Sequence, residues 1–252
     1  MSILMYHSVE SGWNSPLAVD PHDFERHCEW LAARRRVIDL GEAARLLDSR
    51  GRLPAGVSAL TFDDGFPSVH QHAFPLLLRH RLPATVFLVA GTLEPGSTEF
   101  GDGRSWLTLD QVLEMQDAGI RFGSHSLAHR ILTSLDPDVC EDDLRRSRES
   151  LEDRLGRPVP FLAYPGGFHN EMVRAAAARA GFTRAFGTSR GREPAGPFAI
   201  PRIGVYPGDG IVALRLKTAR WYVTVRRSGV FPALRRLARR PTSPTTAEDD
   251  AS

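Results

Sequence analysis

Short apolar segments with a strand pattern alternate with helical segments through most of this chain, and this alternation constrains the fold more than any other feature. Strands are predicted over residues 3–6, 37–40, 57–62, 84–90, 120–124, 161–164, 182–186 and 198–205. Strands separated by helices of about 10–15 residues are typical of βαβ units and a parallel sheet. About seven such units in one chain favour a closed or nearly closed α/β barrel.

The segments between the strands carry helix signals. Thr108 and Gln111 form a capping box for a helix, and shorter helices are predicted over residues 43–47 and 69–80. A long charged helix is predicted over residues 138–155. Its expected buried side consists of four apolar residues: Val139, Leu144, Leu151 and Leu155.

Polar residues of catalytic type follow directly after several predicted strands. They are His7, the pair Asp63-Asp64, His125 and the turn that begins at Tyr164. Because the carboxyl ends of parallel strands meet on one face of a barrel, where barrel enzymes place their chemistry, we expect these residues to lie together.

The adjacent carboxylates of Asp63 and Asp64 have two interpretations. Asp-Asp-Gly is favourable turn chemistry, and the pair alone favours a solvated turn. Two neighbouring carboxylates at a strand end are, however, costly unless a cation or a shared proton separates their roles. In that case one binds a metal ion and the other takes a proton from water.

His125 and His129 favour the second interpretation. Their i, i+4 spacing predicts that both imidazoles lie on one face of a helical turn and bind one ion. Two histidines and one carboxylate form a recurring hydrolytic zinc set, for which cobalt, nickel or iron are alternatives. Two unrelated polar histidines near a loop remain the competing interpretation.

Two motifs of this chain, TFDDG at residues 61–65 and SHSLAH at residues 124–129, resemble those of the polysaccharide deacetylase family, which is also known as the NodB-homology family or carbohydrate esterase family 4. The resemblance covers residues 1–206. It implies a single distorted (β/α)7 barrel. The implied activity is removal of the N-acetyl group from an N-acetylhexosamine-containing glycan or glycoconjugate. The resemblance also implies one divalent metal ion, with zinc as the first expectation.

The resemblance implies a role for each matching residue. Asp64, His125 and His129 are expected to be the metal ligands, and Asp63 the general base. The opening segment MYHSV at residues 5–9 resembles the circularly permuted branch that includes poly-β-1,6-N-acetylglucosamine deacetylases. In that branch this histidine, here His7, supplies the general acid; a structural hydrogen bond at a strand end is the alternative.

The third family motif is altered in this chain. The family's Arg-x-Pro-Tyr turn stands here as Ala-Tyr-Pro-Gly, so that Ala163 replaces the arginine and Gly166 the tyrosine. The backbone N–H of Gly166 is still expected to serve as an oxyanion donor, and Tyr164 and Pro165 are expected to contact substrate. Arg202 is the candidate to hold the base in place of the missing arginine, with a surface salt bridge as the alternative.

Other functions within and outside the family stay open on these residues. A member that hydrolyses a small cyclic amide or ureide would use the same metal set and differ in the size of its substrate pocket. A catalytically inactive glycan-binding member is a second alternative. Replacing Asp63 would change little in such a binder.

The remaining chain predicts location and partners. Residues 211–240 hold nine Lys or Arg and no acidic residue, interleaved with aromatic and apolar residues. They predict a basic helical extension (residues 207–240) that contacts an anionic membrane surface or packs on the barrel, and residues 241–252 predict a disordered tail. A net charge of +2 argues against nucleic acid as a partner. With no secretory signal and no run of 18 apolar residues, the chain is expected in the cytoplasm.

Overall fold

Ten strands and eight α-helices form the part of the chain that a computed structural model describes, which comprises residues 2–93, 105–188 and 196–227. In chain order the strands are β1 (Ile3–Tyr6), β2 (Ser8–Val9), β3 (Ala18–Val19), β4 (Arg36–Val37), β5 (Val57–Phe62), β6 (Ala84–Leu88), β7 (Arg121–Ser124), β8 (Phe161–Ala163), β9 (Arg184–Thr188) and β10 (Ile200–Gly204).

Seven of these strands close into a barrel, which confirms the predicted (β/α)7 architecture. The order around the barrel is β1-β10-β9-β8-β7-β6-β5, and β5 returns to β1 to close it. The closing pair runs in register from Ile3 opposite Ala59 to Tyr6 opposite Phe62. All pairings are parallel in the described ranges, so the strand ends that carry the polar residues share one face. The short β4 pairs with the first two residues of β5, and β2 pairs with β3 in a separate ladder.

Helices cover the outside of the barrel. They are α1 (Pro21–Arg34), α2 (Leu40–Arg50), α3 (Phe74–Arg79), α4 (Leu109–Asp117), α5 (Pro137–Leu155), α6 (Glu171–Arg179), α7 (Ile211–Lys217) and α8 (Tyr222–Arg227). The capping box of Thr108 and Gln111 is present at the start of α4, as predicted.

Two predicted elements differ clearly from the structure. The strand predicted over residues 37–40 ends at Val37, because the Asp39 side chain accepts a hydrogen bond from Glu42 N–H at 2.9 Å and begins α2 at Leu40. The continuous helix predicted over residues 69–80 is divided into a π-helical turn, Val69–Ala73, and α3. Apolar periodicity alone does not distinguish these two helical forms.

The buried side of α5 differs from the prediction at its first position. Val139 is 43% exposed, whereas Cys140 is fully buried together with Leu144 and Leu151. Successive helical residues point about 100° apart, so the stripe that passes through Leu144 and Leu151 includes Cys140 and excludes its neighbour.

Aromatic side chains fill the barrel interior beneath the carboxyl ends of the strands. The rings of Phe87 and Phe186 lie 5.8 Å apart, and the Arg202 guanidinium lies 5.2 Å from the Phe87 ring centre. A side chain at Gly123 would collide with the Phe87 ring, since a Cβ there would lie 2.6 Å from it. Because the interior is filled, a site of this barrel lies at its mouth, above these side chains.

The C-terminal extension is described as far as residue 227. Leu214 of α7 is buried against the rest of the chain, and Val223 of α8 is buried as well. The predictions for residues 228–240 and for the tail over residues 241–252 lie outside the described residues. None of the helices with described residues has the length and apolar character needed to cross a membrane.

Candidate metal centre

The carboxylate pair lies where β5 ends. The backbone N–H of Asp63 still donates to the Tyr6 carbonyl of β1 at 2.9 Å, and the chain turns at the next two residues, Asp64 with φ 71° and Gly65 with φ 79°. Aspartate is one of the few residues that tolerates this left-handed conformation. A side chain at Gly65 would lie 2.8 Å from Leu88. The turn therefore presents two adjacent carboxylates at the barrel mouth.

Asp64, His125 and His129 form a three-residue cluster at this mouth. Their potential ligand atoms all lie within 4.8 Å of one another. Oδ1 of Asp64 is 3.3 Å from Nε2 of His125 and 3.2 Å from Nε2 of His129. The structure thus brings together the three residues that the sequence motifs point to.

The cluster has the donor chemistry that a divalent cation requires. Two imidazole nitrogens and one carboxylate oxygen converge, and the buried Oδ1 of Asp64 forms no hydrogen bond within the described part of the chain. A buried carboxylate oxygen without a partner is costly unless a cation compensates it. The residues present therefore fit a metal ion of the zinc type.

His125 is oriented by its other ring nitrogen. Nδ1 lies 2.7 Å from the carbonyl oxygen of Ala163 at the end of β8, and a proton assigned to Nδ1 donates to that carbonyl. This bond leaves the Nε2 lone pair directed at Asp64. Histidine ligands of metal ions characteristically carry such a second hydrogen bond, which fixes the tautomer and the ring orientation.

The two histidines do not share a helical turn, which corrects the prediction from their spacing. Residues 125–130 form an irregular loop, in which Ser126 has φ 69° and His129 has φ 54°. The His129 N–H donates to Ser126 Oγ at 2.9 Å, and the Ser126 N–H donates to Ser124 Oγ at 3.1 Å. This tight loop brings the two imidazole ring centres to 5.0 Å.

A buried aspartate on α5 supports the histidine loop from behind. Oδ1 of Asp143 accepts the Leu127 N–H at 2.9 Å, and its Oδ2 accepts a guanidinium N–H of Arg130 at 3.0 Å. The sequence interpretation did not include Asp143. Its spacing from Cys140 and Ser147 places it on the buried stripe of α5, and a charged residue on such a stripe is a signal that could have found it.

Asp63 is held by a buried arginine. Nη1 and Nη2 of Arg202 donate to Oδ1 and Oδ2 of Asp63 at 2.6 Å and 2.7 Å, and Nη1 also reaches Thr61 Oγ1 at 3.2 Å. Arg202 is fully buried, so the alternative of a surface salt bridge does not hold for this residue.

The charges around the two aspartates keep both ionised. Burial alone raises the pKa of Asp63, but the Arg202 guanidinium, with a smaller effect of His125, lowers it below its usual value. Burial likewise raises the pKa of Asp64, and the imidazoles of His125 and His129 outweigh this and lower it strongly. Burial lowers the pKa of His125 and the two carboxylates raise it by more, so the net direction is upward.

His7 lies at the end of β1, beside the aspartate pair. Burial lowers the pKa of its imidazole, and the negative charges of Asp63 and Asp64 oppose this shift. Its Nδ1 is buried and has no hydrogen-bond partner among the residues described. The structure therefore places His7 in the site, and it shows no structural hydrogen bond for Nδ1 that would account for the residue.

The turn after β8 only partly matches its prediction. Gly166 is exposed with φ 63°, and its predicted role as an oxyanion donor stays a prediction. Tyr164, in contrast, packs in the hydrophobic core, and its hydroxyl donates to the Phe198 carbonyl at 3.0 Å. This contact contradicts substrate binding by the Tyr164 ring. Pro165 is buried as well, and its predicted contact with substrate stays a prediction.

Aromatic residues beside the aspartate turn were not identified from the sequence. Phe66 lies two residues after Asp64, and its ring is 5.4 Å from that of Trp13 and 6.3 Å from that of Trp106. The Leu107 N–H, next to Trp106, donates to the Gly65 carbonyl at 2.9 Å. These contacts make an aromatic wall on one side of the mouth.

Sequence comparison finds relatives that are named as deacetylases. The profile of the polysaccharide deacetylase family matches residues 50–185. YxkH of Bacillus subtilis, named for the same family, is 29% identical over 211 residues, which is 82% of this chain and 72% of that protein. The poly-β-1,6-N-acetyl-D-glucosamine N-deacetylase of Staphylococcus epidermidis is 28% identical over 164 residues, and the match spans 61% of this chain and 55% of that protein.

Solved structures of deacetylases share the fold. The deacetylase PplD of Streptococcus pyogenes, solved in complex with acetate, superposes with a TM-score of 0.77 at 27% identity, and covers 87% of this chain and 98% of its own. IcaB from Ammonifex degensii superposes with a TM-score of 0.75 at 26% identity, over 86% and 97% of the two chains. The profile match, the barrel and the residues at its mouth together show that this chain belongs to the polysaccharide deacetylase family.

Proposed function

We propose that this protein is a metal-dependent N-deacetylase, which hydrolyses the N-acetyl group of an N-acetylhexosamine-containing glycan or glycoconjugate to acetate and a free amine. The observation that carries the proposal is the position of Asp63, held by Arg202 beside the cluster of Asp64, His125 and His129. The name of the Staphylococcus epidermidis relative supports an N-acetylated hexosamine as the substrate class.

Asp64, His125 and His129 would hold one divalent ion. Zinc is the first candidate for two histidines and one carboxylate, and cobalt, nickel or iron are alternatives. When bound, such an ion supplies Lewis acidity, which lowers the pKa of a water molecule and polarises an amide carbonyl.

Asp63 is the general base of the proposed reaction. Its carboxylate accepts a proton from the attacking water, and the bidentate contact with Arg202 fixes the direction from which it does so. Because Arg202 lowers the pKa of Asp63, the carboxylate is ionised and ready to accept a proton throughout the neutral pH range.

Gly166 and His7 act on the amide group, at its oxygen and its leaving nitrogen. The Gly166 N–H donates to the oxygen on which negative charge develops as the amide carbon becomes tetrahedral. Protonated His7 gives its proton to the leaving nitrogen, and the C–N bond then breaks to release the amine and acetate. Burial lowers the pKa of His7 on balance, and the negative charges of Asp63 and Asp64 oppose part of that shift, so they offset part of the cost of the protonated form that this step needs.

Acetate release from N-acetylglucosamine oligomers tests the proposal. We expect the purified protein to release acetate with added zinc, to stop with a chelator and to lose activity in Asp63→Asn. Asp142→Asn, which changes an exposed aspartate on α5, is the matched control and should retain activity. Hydrolysis of a cyclic ureide such as allantoin without acetate release would favour the small-amide alternative, and oligomer binding without any release would favour the inactive binder.

We also propose that the C-terminal extension contacts an anionic membrane surface from the cytoplasmic side. Val212 and Leu216, one helical turn apart on α7, are exposed together with Trp221, and the basic side chains of Arg215 and Arg220 are exposed beside them. Apolar side chains flanked by cations suit the interface of an anionic bilayer. Cytoplasmic placement is part of this proposal.

Vesicle co-sedimentation tests the membrane contact. The full chain should sediment with phosphatidylglycerol vesicles and not with phosphatidylcholine vesicles, and Val212→Ser/Leu216→Ser should sediment less. Leu78→Ser changes an exposed leucine on α3 and serves as the control. Equal sedimentation of the double variant and the unchanged protein would argue that these side chains have no role at a membrane.

A further inference from the structure

Two exposed apolar side chains lie over the turn that carries Gly166. Phe168 is 58% exposed and Ile131 is 44% exposed. A Cβ at Gly166 would lie 2.8 Å from the Phe168 ring and 3.9 Å from Ile131 Cδ1. Both side chains therefore pack against the same glycine, and any larger residue at that position would displace the ring.

This pair of side chains, the Phe168–Ile131 platform, borders the metal centre. Ile131 lies two residues after His129, so their Cα atoms are at most about 7 Å apart. Phe168 lies on the turn after β8, and the carbonyl of Ala163 at the end of β8 accepts the hydrogen bond from His125. The platform thus lies between the two loops that build the histidine side of the site.

The exposure of these two apolar side chains beside the site indicates a role in ligand binding. A phenylalanine that stays more than half exposed forgoes much of the stabilisation that burial of its side chain provides. Exposed apolar residues beside a polar site are typical of ligand-binding grooves. The remaining large apolar side chains that are exposed in the described ranges lie on the outer helices, such as Leu78 on α3 and Val139 on α5, or in the turn before α8, where Trp221 lies.

We propose that the Phe168–Ile131 platform is a subsite for a sugar ring next to the one that is deacetylated. This inference rests on the proposed function and makes the substrate a chain of sugars. The face of an aromatic ring is electronegative and attracts the weakly positive C–H face of a pyranose. The platform has no charge, which suits a neutral acetylated sugar.

The depth of the site explains why the ring on the platform is a neighbouring one. The reacting amide must reach Asp63 and Asp64, which are buried at the mouth, whereas Phe168 is exposed at its rim. A ring that lies on Phe168 therefore belongs to the part of the glycan outside the reaction centre. A monosaccharide would use the metal centre alone.

Kinetics with two substrates test this subsite. For the tetramer of N-acetylglucosamine we expect Phe168→Ala to raise KM roughly tenfold, the result of losing an apolar contact, with little change in kcat. Phe168→Tyr should restore the KM of the unchanged protein. KM for the monosaccharide should stay within about twofold. Leu78→Ala, an exposed apolar residue away from the mouth, is the matched control.

The outcomes separate this inference from the proposed function. Equal KM values of Phe168→Ala and Leu78→Ala for the tetramer would overturn the subsite while leaving the deacetylase intact. If the unchanged protein releases no acetate, the proposed function fails, and calorimetric titration with the tetramer then decides the subsite. Weaker binding by Phe168→Ala would support it, whereas no binding by the unchanged protein, or equal binding by both, would overturn it.

Discussion

Arg202 holds both carboxylate oxygens of Asp63, at 2.6 Å and 2.7 Å, although 139 residues separate the two in the chain. The pair connects the last barrel strand to the strand that carries the aspartate turn. It also compensates two charges that are removed from water, and such compensation is required for a buried ion pair. The orientation of Asp63, the proposed base, and the stability of the barrel therefore depend on the same contact.

Breaking this pair from one side should be costly. Arg202→Met leaves Asp63 buried with no guanidinium to pair with, and we expect it to lower the free energy of unfolding by about 3–5 kcal/mol and to abolish most acetate release. Arg202→Lys retains a charge and loses the fork of two donors, so its effect should be smaller. Denaturant unfolding followed by circular dichroism measures the stability change.

The double variant Asp63→Asn/Arg202→Met provides the control for this prediction. It removes both charges, so it should be more stable than Arg202→Met alone. A single Arg202→Met variant that unfolds at the same denaturant concentration as the unchanged protein would show that the pair does not contribute to stability.

Each residue of the three-residue cluster at the barrel mouth should be required for binding an ion. Asp64→Ala, His125→Ala and His129→Ala each remove one of three donors, and we expect each to weaken zinc binding at least about a hundredfold, which exceeds the usual effect of altering a supporting residue. His72→Ala, at an exposed histidine, is the control. Competition with a fluorescent chelator measures the affinity, and a single-residue variant that retains full affinity would remove that residue from the site.

Metal binding should depend on pH through His125. The carboxylates of Asp63 and Asp64 raise the pKa of His125 above its usual value of 6.5 in the metal-free protein. Protons and metal compete for Nε2. Zinc affinity should therefore rise with pH until His125 is deprotonated, and it should be weaker at lower pH, where Nε2 carries a proton. Calorimetry near pH 7 in two buffers of different ionisation enthalpy should detect proton release. An affinity independent of pH between about 6 and 8.5 would contradict this assignment.

The barrel and the residues at its mouth could be predicted from local patterns. Val57–Phe62 is an apolar run of strand length followed at once by Asp63 and Asp64, and parallel strands bring such ends together. Arg202 could be selected as an arginine expected just after the last strand, although it lies within β10. Its bidentate contact with Asp63 could not be derived, since no local pattern records a pairing between residues so distant in the chain.

The errors of prediction have a common physical cause. The spacing of His125 and His129 suits a helical turn, but hydrogen bonds to the serine side chains at Ser124 and Ser126 stabilise a tighter loop. Tyr164 is part of the altered Arg-x-Pro-Tyr turn, which suggested contact with substrate, but its ring packs in the core. In each case a tertiary or side-chain contact determined the outcome, and spacing along the chain does not reveal such contacts.

Asp143 provides the sharpest separation of loop support from general stability. In Asp143→Ala the Leu127 N–H and the Arg130 guanidinium lose their acceptor, and an unsatisfied buried donor costs about 1–3 kcal/mol. Because Leu127 lies between the two histidine ligands, zinc affinity should also fall, by roughly 10–100-fold. Asp143→Asn retains one acceptor oxygen and should be intermediate.

The neighbouring aspartate supplies the matched control for this last prediction. Asp142 precedes Asp143 on α5 but is exposed, and its ion pairs among the described residues are with Arg145 and Arg146 on the same helix face. Exposed pairs of this kind contribute little, so Asp142→Ala should leave zinc affinity unchanged. If Asp142→Ala and Asp143→Ala bind zinc equally well, the histidine loop holds its shape without α5, and the serine hydrogen bonds alone must account for the position of His129.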